Sequence, residues 1–224
     1  MDKSQYWAKN DGTTLEEHIY DLMVALDEIR ELGYITSEEL YKLVKLAIEY
    51  HDLGKVNREF QHRVRNTIKH LRFDPAKEII HNVLSLYFIS EEKVKTINPS
   101  NKKNYYRVCL AVLFHHNYGD TMELLRENED RGLEILKEFE KEIFPIPQNL
   151  CRALSVLMTI NDEKTVKLKG FLHKCDYAAS GHYKAEYIND FLSYLRRSLF
   201  VRFHYTLHCH RPDNEEMVSQ ADDA

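Results

Sequence analysis

The stretch Thr36-Ser-Glu-Glu-Leu-Tyr-Lys-Leu-Val-Lys-Leu-Ala-Ile-Glu-Tyr-His-Asp-Leu-Gly-Lys55 changes character partway along. Its first part signals a helix. Thr36 and Glu39 stand three apart, as in a capping box. Leu40, Leu43, Val44, Ala47 and Ile48 then recur at three-to-four spacing, which predicts one apolar face. The second part sets His51 beside Asp52 where that helix should end. Adjacent residues of a continuous helix diverge by about 100°. At a helix end both side chains can turn toward one point. Gly54 is expected to let the chain turn, and Lys55 lies one turn beyond His51. Imidazole nitrogen with carboxylate oxygen suits Fe, Mn, Ni, Co or Zn better than Mg or Ca alone. A bare His-Asp pair arises by chance, so the pair needs company before it means more than a polar helix terminus.

Outward from this stretch the helical signal repeats. Thr14 and Glu17 form another capping-box pattern, and Leu15, Ile19, Leu22, Leu26 and Ile29 carry a helix toward Gly33. Further helices are expected near residues 56–70, 77–90, 104–117, 121–142, 148–160, 164–180 and 185–205. Asn98-Pro99 and Pro145-Ile-Pro147 mark loops. No run alternates with period two for long enough to require a strand. With 7 Gly and 5 Pro in 224 residues, the turn formers needed by a sandwich or barrel are missing. The expected fold is all-α, a single helical bundle. The domain is expected over residues 1–208, with an acidic tail over 209–224.

Charge narrows the function classes less than its total suggests. The net charge is −5, but residues 212–224 hold five acids and no base. Without them 31 acids balance 31 bases, so the total does not argue against a nucleic-acid partner. No run approaches eighteen apolar residues, and the N-terminus carries no apolar secretory segment, so no membrane partner is expected. Cys109, Cys151, Cys175 and Cys209 form no C-x-x-C pair. They are read as reduced cysteines of a cytoplasmic protein rather than a disulfide framework or thiolate zinc site.

Twelve histidines remain to be explained. His18 interrupts an apolar pattern, with Leu15 and Leu22 as neighbours at −3 and +4. His81 sits in Glu78-Ile-Ile-His-Asn-Val-Leu-Ser-Leu86. His115 and His116 end the apolar run Val108-Cys-Leu-Ala-Val-Leu-Phe114. Asp176 stands where an apolar or small residue would be expected. One histidine on an apolar face is ordinarily a satisfied core residue, but a buried carboxylate needs a partner or a metal. Five segments, each with an inward-looking His or Asp, are accounted for together by a metal cluster in the centre of the bundle.

This ordered set resembles the HD superfamily of metal-dependent phosphohydrolases. More narrowly it resembles the HD nuclease of type I CRISPR interference, the nuclease half of the CRISPR-associated nuclease-helicase. The features of that branch are His51-Asp-Leu-Gly-Lys55 followed by Glu59-Phe-Gln61, the doubled His115-His116, and Asp176-Tyr-Ala-Ala-Ser180. The resemblance implies an HD-type bundle with two metal positions. His18, His51, Asp52 and Asp176 would hold one ion. His81, His115 and His116 would hold the second, with Asp52 bridging. It also implies one or two divalent transition-metal ions (Fe, Mn, Ni or Co, with Mg as a further choice) and a metal-activated water as nucleophile. The implied activity is phosphodiester hydrolysis, mainly of single-stranded DNA, as endonuclease or exonuclease. The implied partners are a crRNA-guided surveillance complex and an ATP-dependent helicase. No Walker A pattern occurs in the chain, so that helicase is expected as a separate protein or as a neighbour fused to an excised domain.

Several roles are read beside this set. Asp52 and Lys55 are the catalytic candidates, with Lys55 stabilising charge on the scissile phosphate. Ser180, one turn after Asp176, would bond a ligand or the substrate. Residues 57–72 hold five bases and one acid. Arg58, Arg63, Arg65, Lys69 and Arg72 are expected to track phosphates toward the metals, with Phe60 stacking a base. The alternative is an HD phosphohydrolase acting on nucleotides or other small phosphoesters, which would have no use for that basic segment.

Overall fold

The capping box at Thr14 opens the first helix as its sequence predicts. The Glu17 amide donates to the Thr14 hydroxyl at 3.2 Å, and the Glu17 carboxylate accepts from the Thr14 amide at 2.8 Å. Helix α1 (Leu15–Glu31) then buries Leu15, His18, Ile19, Leu22, Ala25, Leu26 and Ile29 on one face. In this computed structural model residues 1–69, 78–116 and 121–181 are described.

Helix α2 (Glu38–Tyr50) buries the predicted stripe from Leu40 to Ile48. Its cap is Ser37 rather than Thr36, because the Ser37 hydroxyl accepts from the Leu40 amide at 3.3 Å. A 3-10 turn, Leu53–Val56, leads to α3 (Arg58–Lys69). After it come α4 (His81–Ser85), α5 (Glu91–Ile97) and α6 (Lys103–Leu113). The expected helix over 121–142 is divided into α7 (Thr121–Glu127) and α8 (Glu129–Ile135). The last described helices are α9 (Leu150–Thr159) and α10 (Glu163–Gly181). Among the described residues there are ten α-helices and no strand, an all-α bundle. The expected helix over 185–205 and the 209–224 tail lie outside the described residues.

Helix α10 packs against α1, α2 and α6, and α2 packs against α6. Those four helices surround the core that the His and Asp side chains enter. A polar network at its edge joins three of them. Arg107 on α6 grips Asp162 through Nε and Nη2, both at 2.8 Å, and donates to Asn104 Oδ1 at 2.9 Å. Asn104 in turn donates to Glu39 on α2 at 2.7 Å. Asp162 also accepts from the Thr165 amide at 3.0 Å, which caps α10. Arg107 is buried, so Arg107→Ala should cost about 3–5 kcal/mol, because it strands a largely buried carboxylate; urea unfolding measures it. The Arg107 guanidinium also holds the Asp162 carboxyl well below the usual carboxylate range. That contribution is complete above the ordinary carboxyl pKa near 4 and is lost as pH falls toward the lower folded value.

Candidate metal centre

The His51-Asp52 pair works because α2 stops between its side chains' demands. His51 is the last helical-type residue (φ −53°, ψ −34°), and Asp52 leaves the helix at φ −111°, ψ 5°. The break lets the two side chains converge, with His51 Nε2 3.3 Å from Asp52 Oδ2. An Asp at the start of a helical turn ordinarily caps it, but Asp52 makes no capping bond. Its carboxylate faces the centre instead.

A helix end leaves carbonyls without amide partners, and two histidines use them. His51 Nδ1 lies 2.8 Å from the Ile48 carbonyl, and His115 Nδ1 lies 2.5 Å from the Val112 carbonyl. A carbonyl can only accept, so Nδ1 carries the proton in each neutral ring. Each Nε2 then points a lone pair inward, the arrangement by which a backbone carbonyl orients a metal-ligating imidazole. The second use follows the end of α6, which buries Val108 to Leu113 and delivers His115 and His116 just beyond its terminus.

Asp52 lies between two groups of donors. Its Oδ1 faces His81 Nε2 at 3.3 Å and His115 Nε2 at 3.5 Å. Its Oδ2 faces His18 Nε2 and His51 Nε2, both at 3.3 Å. Asp176, on α10, places Oδ1 3.3 Å from His18 Nε2. The His116 ring lies 4.1 Å from that of His115 and 5.0 Å from that of His81. Two sets of donor atoms fall within 4.8 Å of one another: Asp52, His81, His115 and His116, and His18, His51 and Asp52.

These residues fit a divalent metal on two observations. First, His51 Nε2 and Asp52 Oδ1 are buried without a hydrogen-bond partner, an arrangement that is costly unless something binds them. Second, His81 Nε2 and His115 Nε2 face each other at 3.3 Å. Two ligands about 2.1 Å from one ion stand about 3.0–3.4 Å apart at octahedral or tetrahedral angles.

The charge state suits that use. Burial alone would raise the Asp52 carboxyl, but His51, Lys55, His115 and His18 together hold it well below the usual range. Burial lowers His18, yet hydrogen bonds to Asp176 and Asp52 outweigh it and raise the ring. Burial pushes His81 down to about 3. Burial, then the neighbouring His115, pushes His116 down to about 4. Both rings are uncharged at neutral pH, the form in which an imidazole can ligate a metal. An unfolded histidine protonates near pH 6.5, so below that the unfolded chain takes protons these two refuse. Stability of the metal-free protein should therefore fall as pH drops from about 6.5 to about 4. The gain from His18 is already complete below about 6.5 and does not cancel this loss. Thermal melts of metal-stripped protein across the window check it, and a flat Tm would contradict it.

Other expected site residues take different stations. Lys55 is buried, with Nζ 2.6 Å from Asp52 Oδ2; its ammonium is committed to that carboxylate rather than held out toward a phosphate. Ser180 Oγ lies 3.3 Å from Asp176 Oδ1. Two bases of the segment are engaged within the chain. Arg63 binds Glu78 with Nε and Nη2 at 2.8–3.0 Å. Arg65 donates to the Gln5 carbonyl and lies over the Trp7 ring. Arg58 is exposed, Lys69 ends α3, and Arg72 lies outside the described residues. Phe60 is 5% exposed and packs edge-on against His81 at 5.8 Å, so it offers no face to a base. Gln61 has a role its sequence did not reveal. It accepts from the Trp7 amide and donates to the carbonyls of Trp7 and Lys55, tying the N-terminal segment to the turn after Asp52. The signal was its place just after the His-Asp motif, but its partner is 54 residues away.

The family model described as Cas3, HD domain matches residues 7–184 of the chain. Searches of curated proteins and of solved structures found no significant match.

Proposed function

The chain belongs to the Cas3 HD-domain family, and on that footing we propose that it is a metal-dependent nuclease that hydrolyses phosphodiester bonds, mainly of single-stranded DNA, in type I CRISPR interference. The observation that carries the reading is the shared carboxylate of Asp52, with His81 and His115 at one oxygen and His18 and His51 at the other. In this reading His18, His51, Asp52 and Asp176 hold one divalent ion, and His81, His115, His116 and Asp52 hold the second. A bound divalent ion supplies hydroxide at neutral pH and neutralises charge at phosphorus.

The residues themselves do the positioning. The Ile48 and Val112 carbonyls fix two ring tautomers. Neutral His81 and His116 donate lone pairs without adding negative charge, so the centre stays attractive to a phosphate. Lys55 offsets part of the charge on Asp52, and Ser180 steadies Asp176. The side chain of Asp176 is 20% exposed and His116 is half-buried, so this side gives a strand its approach. The partners are an ATP-dependent helicase, separate or fused, and a crRNA-guided surveillance complex. Unpaired Cys109, Cys151 and Cys175 suit the reducing cytoplasm.

The test is cleavage of circular single-stranded DNA by metal-stripped protein, with Mn, Ni, Co, Fe, Mg or Zn restored singly. Conversion of circles to linear strands supports the proposal and establishes endonuclease action. Intact circles under every metal, with hydrolysis of nucleotides or bis(p-nitrophenyl) phosphate, would make the protein a small-phosphoester hydrolase instead.

A further inference from the structure

Helix α4 is five residues long, and all five are buried. Two of them are polar without being donors to the centre. Ser85 Oγ accepts from the Gly54 amide at 2.8 Å and donates to the His51 carbonyl at 2.8 Å. One hydroxyl thus closes the turn that contains Asp52. Asn82 Nδ2 donates to the Leu113 carbonyl at 2.6 Å, at the end of α6 just before His115 and His116. Both side chains are fully buried, and His81 is the first residue of the same helix.

From these contacts we infer that Asn82 and Ser85 are positioning residues that set the spacing of the two donor groups around Asp52. The residues reach in two directions from one turn of helix. Ser85 fixes the His51-Asp52 turn, Asn82 fixes the terminus that presents His115 and His116, and His81 is carried between them. The three segments share no sequence neighbourhood, and these hydrogen bonds join them through a common rigid piece. Backbone carbonyls that would otherwise fray at two helix ends are each given a side-chain donor. Outer partners of this kind change metal affinity by about 10–100-fold when removed.

The inference rests on the metal reading above, and its test is metal binding rather than cleavage. Mn(II) is titrated by calorimetry into the metal-stripped 224-residue chain and into Ser85→Ala, Asn82→Ala, Ser85→Thr and Val83→Ala. Ser85→Ala and Asn82→Ala should each weaken Mn(II) binding by about 10–100-fold. Ser85→Thr keeps the hydroxyl and should restore affinity. Val83→Ala is the packing control. It opens a cavity on the same helix but leaves both hydrogen bonds, so it should lower the Tm and keep Mn(II) affinity. Wild-type affinity in folded Ser85→Ala and Asn82→Ala overturns the inference, as does an equal loss in Val83→Ala. Where an alanine variant does not fold, Ser85→Cys or Asn82→Leu takes its place, since each nearly keeps the volume while weakening or removing the hydrogen bond, and wild-type affinity in the folded replacements overturns the inference. A wild-type chain that binds no Mn(II) overturns the metal reading itself, and this inference with it.

Discussion

Asp52→Ala should abolish metal-dependent cleavage, by about a thousandfold or more, since hydroxide at neutral pH depends on the bound ion. Asp52 is the residue common to both donor groups, so its loss weakens both at once. The substitution also has a structural cost. Lys55 Nζ sits 2.6 Å from the carboxylate and is buried. Removing one partner of a buried ion pair costs about 3–5 kcal/mol, because the other charge is left unpaired. Loss of activity in Asp52→Ala therefore needs a companion variant to separate chemistry from unfolding. Asp52→Asn keeps the shape but turns an amide group toward nitrogen or ammonium neighbours and removes the charge. Wild-type protein should gain about 2.7 kcal/mol of stability at Mn(II) a hundredfold above Kd, while Asp52→Asn should gain almost none and cut no DNA. A folded Asp52→Asn that is still stabilised by Mn(II) and still cuts would show that the Asp52 carboxylate does not hold the metal.

The sequence was most readable where a residue broke a pattern. His18, His81, His115, His116 and Asp176 stand in positions that helical periodicity assigns to the core, and the structure brings those side chains together around Asp52. Helix α1 was readable because cap and stripe agree. Helix α5 was not anticipated. It is seven residues long and buries only Val94, so it has no periodicity to detect, although Ser90 caps it through the Lys93 amide. The pairing within the basic segment is not legible in sequence for a different reason. Exposure and pairing are tertiary facts, and nothing near Arg63 in sequence announces Glu78. Phe60 likewise looked available beside four arginines, yet its ring belongs to the wall behind His81. Local pattern found the donors, while the contacts that orient them (Gln61, Asn82 and Ser85) join segments 31 to 54 residues apart.

Gly54→Ala should be a severely damaging single-methyl change, with the closest clash among the described glycines. The expected reason for Gly54 was freedom to turn, but positive φ occurs among the described glycines at Gly12 and Gly33, not here. The reason is space. A Cβ on Gly54 would lie 2.0 Å from the His81 carbonyl oxygen and 2.8 Å from both the His81 carbonyl carbon and Leu84 Cβ. The obstacle is backbone and a core side chain, not the flexible end of a surface residue, so the turn and α4 must move apart by an ångström or more. That movement stretches the 2.8 Å bond from the Gly54 amide to Ser85 and separates Asp52 from His81. Overpacking of this kind costs about 3 kcal/mol, and a misplacement near 1 Å at a reacting centre costs about a hundredfold in rate. Urea unfolding should show the first loss. Cleavage of circular single-stranded DNA by the protein that remains folded should show the second. Gly132→Ala offers the comparison. Its Cβ would meet the ring end of the Tyr87 side chain at 2.6 Å rather than the backbone of a donor residue, so it should destabilise the fold with less effect than Gly54→Ala on the rate per folded molecule. Equal rates for folded Gly54→Ala and wild type would show that the centre tolerates a displaced α4 and that the close approach serves stability alone.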